Sequence, residues 1–237
     1  MTVWGIADLH LDFANPQADS RERFAGRWRD HALAIEANWR ATVGRDDLVL
    51  LPGDFSMARN HRDLQPDLAW LDRLPGWKVL SPGNHDRWWN HVDKVRAMLR
   101  RTLLAVEGDA VRIGGVVVCG AKGAPIPKDD DLENTSKPWK RELAKLETAL
   151  PAAAGLRAAD EPVYVLWHYP PFDQHGRASE CSELCARSGA STVVYGHLHN
   201  QGQWSAAMQG TVDGVRYRCV AADSIGFRPL RVSPTPG

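Results

Sequence analysis

Lys78-Val79-Leu80-Ser81-Pro82-Gly83-Asn84-His85-Asp86 carries, in nine residues, the pattern that the rest of the chain repeats. A short apolar run long enough for a buried strand is closed by Pro and Gly, and a polar cluster follows at once. The same sequence of events occurs on both sides of it. Thr2 to Ala7 leads into Asp8-Leu9-His10, and Leu48 to Leu51 leads into Pro52-Gly53-Asp54. Val163 to Trp167 leads into His168-Tyr169-Pro170-Pro171, and Thr192 to Tyr195 into Gly196-His197-Leu198-His199. Runs rich in Val, Leu and Ile, bounded by Gly or Pro, predict strands covered on both faces. In layered α/β folds, ligands collect at the carboxyl ends of such strands. Strands that all deliver polar groups at those ends imply one shared site.

Helical periods fall between the strands. Phe24, Trp28, Ala32, Ile35, Trp39 and Val43 step by three or four and predict one long helix after Ser20. Trp139, Leu143, Leu146 and Leu150 predict a second, ended by Pro151, and Val92, Val95 and Leu99 a third. Val111 to Cys119 predicts a hairpin through Gly114-Gly115, and Val215 to Val220 a further strand. Alternation of strands and helices without a linker predicts a single α/β domain over residues 1–237. The stretch 121–138 is the longest without a predicted element, and loops of that length are usually functional, so it is expected to be an active-site loop.

Bulk composition narrows the function classes. Acidic and basic residues balance at 29 each, so no global field attracts nucleic acid or a membrane surface, and specific nucleic-acid binding is not expected. No run approaches the ~20 apolar residues of a membrane span. The N-terminus lacks a basic leader and enters a strand directly, and Cys119, Cys181, Cys185 and Cys219 show no disulfide spacing, so a cytoplasmic protein with reduced thiols is expected. Cys181 and Cys185, four apart beside Leu184, fit a buried helix face.

Asp8 and His10 are separated by one residue, as are His197 and His199. On an extended chain residues i and i+2 point the same way, so each pair can face one ion. Carboxylate and imidazole together suit Mn, Fe, Zn, Co or Ni better than Mg or Ca. Gly53 before Asp54 and Gly83 before Asn84 fit places where the backbone turns tightly. Five of the nine histidines (His10, His85, His168, His197 and His199) fall at predicted strand ends.

Asp-x-His, Gly-Asp, Gly-Asn-His-Asp, an isolated His after a strand and Gly-His-x-His, in that order, resemble the calcineurin-like metallophosphoesterase superfamily. A lone Gly-Asp is common; the ordered set from Asp8 to His199 is not. The resemblance implies two mixed β-sheets packed face to face with helices outside. It implies two divalent cations, manganese first among the candidates. Asp8, His10, Asp54 and His199 would hold one cation, and Asp54, Asn84, His168 and His197 the other, with Asp54 bridging. It further implies hydrolysis of a small phosphorylated substrate by a metal-bridging hydroxide. His85 would be a non-ligand catalytic histidine, with Asp86 orienting its imidazole. Asp86 read alone is a turn former.

Neither His31 nor His91 receives a functional role. Trp88 and Trp89 read first as core residues and second as a platform for a substrate ring. Arg59, Arg87, Lys122, Lys128 and Arg177 are surface charges by default and phosphate contacts by alternative. Asp129-Asp130-Asp131 reads as a solvated loop. An HD-domain phosphohydrolase is all-helical, whereas His85-Asp86 follows a strand; the metallo-β-lactamase run His-x-His-x-Asp-His is absent. Gly-Asn-His-Asp-x-Trp-Trp is similar to compact bacterial phosphohydrolases of unsettled substrate. A diester is favoured over a monoester, because no cluster stands ready for a terminal dianion. A nucleotide pyrophosphohydrolase and a non-enzymatic scaffold of the same fold stay open.

Overall fold

The computed structural model describes residues 1–15, 28–128 and 132–233. Phe24 and the acidic run 129–131, both singled out by sequence, lie outside these residues. In the amino-terminal half, strands β1 (Val3–Gly5), β2 (Leu48–Pro52), β3 (Trp77–Ser81) and β4 (Leu103–Ala105) are interleaved with helices α1 (His31–Thr42), α2 (His61–Asp72) and α3 (Val92–Arg96). The hairpin strands β5 (Asp109–Ile113) and β6 (Val116–Ala121) follow, then α4 (Leu132–Leu156), β7 (Val163–Trp167), α5 (Glu180–Arg187) and β8 (Thr192–Tyr195). The chain closes with α6 (Gln201–Ala206), β9 (Gly210–Val212), β10 (Val215–Cys219) and β11 (Leu230–Arg231).

Two mixed sheets result, ordered β11-β1-β2-β3-β4 and β5-β6-β7-β8-β10-β9. Strands β1 to β4 are mutually parallel, as are β6, β7, β8 and β10; the hairpin and terminal strands β5, β9 and β11 run antiparallel. The period of two sorts each central strand between two apolar layers. Leu48 and Leu50 join Tyr164, Leu166 and Val194 in a core between the sheets. Val49 and Leu51 turn outward onto Ile35, Trp39, Leu64 and Leu68 of α1 and α2. Val163, Val165 and Trp167 turn outward onto Trp139, Leu143 and Leu146 of α4. The molecule is thus a sandwich of two mixed sheets flanked by helices.

Three local expectations are corrected. Helix α1 begins at His31, because Asp30 sits in the left-handed region at φ 57 and ends the stripe there. Trp28, on the near side of that break, instead meets His10 and His199 edge-on at 5.7 and 5.8 Å. Helix α4 runs through Pro138 and Pro151. An internal proline costs about 3 kcal/mol, but the buried stripe Trp139, Leu143, Leu146, Leu150 continues to Ala153, so packing on the sheet holds the last turns. The helix also claims Leu132 to Pro138, leaving Lys122 to Lys128 as the described part of the expected loop. Cys181 and Cys185 lie buried on α5 with free thiols, as their spacing predicts.

Candidate metal centre

The sheets meet where their parallel strands end. Ala7, just past β1, pairs with Ala221, just past β10, and the amide of Ala7 donates to Val220 O at 2.8 Å. The loops leaving β1, β2, β3, β7 and β8 are then laced together. Asp8 N donates to Gly53 O and His10 N to Asp54 O, both at 3.0 Å; Gly196 N donates to His168 O, also at 3.0 Å. Side chains join in: His85 N donates to Asp54 Oδ1 at 2.7 Å, and His197 N donates to Asp8 Oδ2 at 3.0 Å.

Two clusters of donor atoms form in this seam. In one, His10 Nε2 and His199 Nε2 lie 3.3 Å apart, with Asp8 Oδ1 3.5 Å from His199 Nε2. In the other, Asn84 Oδ1 lies 2.9 Å from both His168 Nε2 and His197 Nδ1. Asp54 stands between them, its Oδ2 3.8 Å from His10 Nε2 and 3.4 Å from His168 Nε2. The structure therefore brings together all seven residues expected to face metal. It splits His197 from His199, one to each cluster. The same-face expectation for residues two apart fails because His197 has φ 72, which breaks the pleat. Asp8 and His10, at φ 60 and 44, converge through a left-handed turn and not through strand alternation.

Outer partners set which ring nitrogen faces inward. His168 Nδ1 lies 3.0 Å from Pro52 O, His199 Nδ1 3.4 Å from Asp223 Oδ2, and His10 Nδ1 3.3 Å from Met57 Sδ. Each outer nitrogen is thereby the donor, which leaves a lone pair on the inner Nε2. Lone pairs facing one another at 3.3 Å repel unless a cation or proton lies between them. Asp54 Oδ2 is buried and has no hydrogen bond among the described residues, an arrangement that costs roughly 1–3 kcal/mol unless something positive meets it. The donor set fits two divalent cations on these grounds.

Electrostatics agree. Burial pushes His10 and His197 down to about 3. At His168 and His199 burial acts the same way but is overcome by carboxylates, Asp54 for the first and Asp223 with Asp8 for the second, which raise them to about 9 and about 10. Asp54 stays far below the carboxylate range despite its burial, because His168 and His10 adjoin it. These carboxylates thus hold protons on His168 and His199, in the place where cations would serve.

His85 is half-buried with its ring 5.2 Å from that of His10, outside both clusters. Asp86 does not orient it. Its carboxylate accepts from Ser56 N at 3.0 Å, Gly83 N at 2.8 Å and Trp88 Nε1 at 3.1 Å. It braces the Asp54 loop against the Asn84 loop, which is the turn-forming role enlarged. Burial and nearby Asp54 raise its pKa to about 6. Trp88 is core, and Trp89 donates to Glu107 Oε2 at 2.7 Å. Arg177 pairs with Asp173, whereas Arg59, Arg87 and Lys128 are exposed. Lys122 adjoins the site, its carbonyl accepting from His168 N at 3.0 Å.

Two site residues escaped the sequence reading. Asp223 comes from the turn after β10, which ends in no recognisable motif. Tyr169 stacks on His197 at 4.2 Å and lies 5.3 Å from His168. Its place directly after His168, a candidate ligand, was the available signal.

Across 199 residues the chain is 25% identical to the Gene 66 protein of Mycobacterium phage D29, covering 84% of this chain and 79% of that protein. It is 30% identical to the Gene 66 protein of Mycobacterium phage L5 over 84 residues, which span 35% of this chain and 39% of that one. The crystal structure of phosphopantetheinyl hydrolase from Mycobacterium tuberculosis has the same fold, with TM-score 0.54 and 17% identity over 100% of this chain and 98% of that one. The sequence profile of the calcineurin-like phosphoesterases matches residues 1–201, from the first strand through the last donor histidine. Members of that family act with divalent metals, and this chain belongs to it.

Proposed function

We propose that this chain hydrolyses a phosphate ester at a centre of two divalent cations, with diesters favoured over monoesters and manganese the first metal to try. Iron, zinc, cobalt and nickel are the alternatives that the imidazole-rich donor set allows. Asp8, His10 and His199 would hold one cation, Asn84, His168 and His197 the other, and Asp54 both. Such a pair lowers the pKa of bound water and clamps the oxygens of an in-line displacement. The observation that carries this reading is Asp54 Oδ2: buried, without a hydrogen bond among the described residues, and flanked at 3.8 and 3.4 Å by a nitrogen of each cluster.

The chain's own residues then divide the work. Asp86 holds the loops of Asp54 and Asn84 in register through Ser56 N and Gly83 N. Asp223, Pro52 and Met57 fix the ring orientations. His85 stands beside the clusters to meet charge that develops on the phosphoryl or leaving oxygen. Tyr169, whose hydroxyl burial and Asp54 hold protonated up to about 12, offers a neutral donor over the His168 and His197 side. The stretch from Lys122 to Lys128 would line the rim of one domain spanning the chain. Diester preference rests on the cations that could serve a terminal dianion: Arg59, Arg87 and Lys128 are exposed, and Lys122 meets His168 through its backbone carbonyl.

A panel of nitrophenyl phosphate, bis-nitrophenyl phosphate, cyclic nucleotides and nucleotide pyrophosphates, each with manganese, zinc or cobalt, tests the reading. Metal-dependent turnover, faster on diesters, is expected. Absence of turnover on every substrate with every metal contradicts it.

A further inference from the structure

We propose that the chain carries a second ligand site, for a nucleotide, at the end of the molecule opposite the metal centre. A cavity of about 620 Å³ opens there, within the range of small-ligand sites. Its walls come from the segments that precede β2, β3 and β4: Arg45 and Asp46, then Asp72 to Trp77, then Arg101 and Thr102, with Arg40 of α1 above them. The candidate metal centre lies past the other ends of β2 and β3. Five residues at about 3.3 Å each set the two sites ~15 Å or more apart, so the cavity is no annex of the catalytic seam.

Its chemistry selects an anion. Four guanidinium groups border it, those of Arg40, Arg45, Arg73 and Arg101, in a chain whose charges balance overall. Arg40 is engaged by Glu36 at 2.9 Å. Arg45, Arg73 and Arg101 are exposed and have no carboxylate in ion-pair contact among the described residues. Of the two carboxylates in the wall, Asp72 already accepts from Thr102 Oγ1 at 3.1 Å and faces Arg100 at 3.8 Å.

A separate observation lies under the floor. Lys78 is fully buried, and its ammonium donates to the carbonyl of Leu74, itself part of the wall. Among the described residues no acid is in ion-pair contact with this ammonium, although Asp72 lies near enough to act on it; burying it so is costly, and here it adds positive potential beneath the arginines. Planar guanidinium forks match phosphate oxygens. Trp77, half-buried in the same wall, supplies a flat face on which a base can stack. Three guanidinium groups without an ion-paired carboxylate among the described residues, set around one open concavity, match one or two phosphates and not the run of phosphates along a nucleic acid strand.

The indole N–H signals of the zinc-loaded protein, titrated with a non-hydrolysable methylene analogue of ADP, test this. Trp77 reports on the cavity, and Trp28, beside His10 and His199, reports on the metal centre. The Trp77 signal is expected to move saturably with the analogue. It should move with pyrophosphate more weakly, and with adenosine not at all. The double variant Arg73→Ala/Arg101→Ala, which touches no residue of the metal centre, should weaken the Trp77 response by about tenfold or more. The Trp28 response should be unchanged in it. A Trp77 signal that stays fixed, whether or not Trp28 shifts, overturns the proposal, as does an undiminished Trp77 response in the double variant. Neither result bears on the phosphoesterase reading.

Discussion

The imidazole of His85 lies 5.2 Å from that of His10, while its amide donates to Asp54 Oδ1. That places it at the centre without a place in either donor cluster. A positioned acid–base group contributes about 10²–10⁴-fold, so His85→Ala should lower turnover on that scale while both metals stay bound. The loss should be larger for an alkoxide leaving group than for nitrophenolate, which needs no proton. Metal analysis beside turnover checks this, and collapse of metal content would make His85 a ligand. Asp223 predicts the opposite division. Its Oδ2 meets His199 Nδ1 at 3.4 Å, so Asp223→Asn should weaken metal binding by about 10–100-fold, as read by competition with a chelating dye. Unchanged affinity would reduce Asp223 to a packing residue. At this scale, residue types at strand ends were readable from sequence. Which atoms met was not: Asp86 sits next to His85 in the chain yet turns its carboxylate to Ser56 and Gly83.

Among elements, the loops after the strands carry the strain. Asp8, His10, Asp54 and His197 all have positive φ, between 44 and 72, an uncommon region for side-chain-bearing residues that Asp and His enter more readily than most. The two glycines flagged by sequence serve different needs. Gly53, at φ 92, makes the tight turn that its position suggested. Gly83 makes none; a Cβ there would lie 2.1 Å from Asp54 Oδ1 and 2.3 Å from Asp54 N. Gly83→Ala should therefore displace Asp54, costing metal stoichiometry and most activity, whereas a fold thermally close to native would locate the damage at the site. Full metal content in that variant would contradict the packing. Strands were legible because they are buried on both faces. Helix limits were less so, since tertiary burial carried α4 past Pro151 and one left-handed residue, Asp30, cut the α1 stripe short.

For the whole molecule, a balanced net charge conceals local imbalance at both ends. At the end opposite the candidate metal centre, burial pushes Lys78 down to about 8 from 10.5. Its folded pKa lies below its unfolded value, so the folded state binds fewer protons and the lysine destabilises wherever the unfolded chain is charged. That penalty is full below about pH 8 and fades as pH rises toward 10.5. Lys78→Met should accordingly be more stable near neutrality by on the order of 1–3 kcal/mol, with the gap closing across that window in denaturant titrations at several pH values. A gap independent of pH would mean that the gain comes from packing. No part of this was visible in sequence, where Lys78 reads only as the first residue of a strand.

The central claim is that two cations, joined through Asp54, make the hydrolytic centre. Titrating the metal-free protein with manganese while following bound metal and bis-nitrophenyl phosphate hydrolysis tests it most directly. Two equivalents should bind, with most of the activity appearing as the second one enters, and both the second equivalent and the activity should be lost in Asp54→Asn. Full activity at one equivalent, or two retained metals and a near-normal rate in Asp54→Asn, would contradict it.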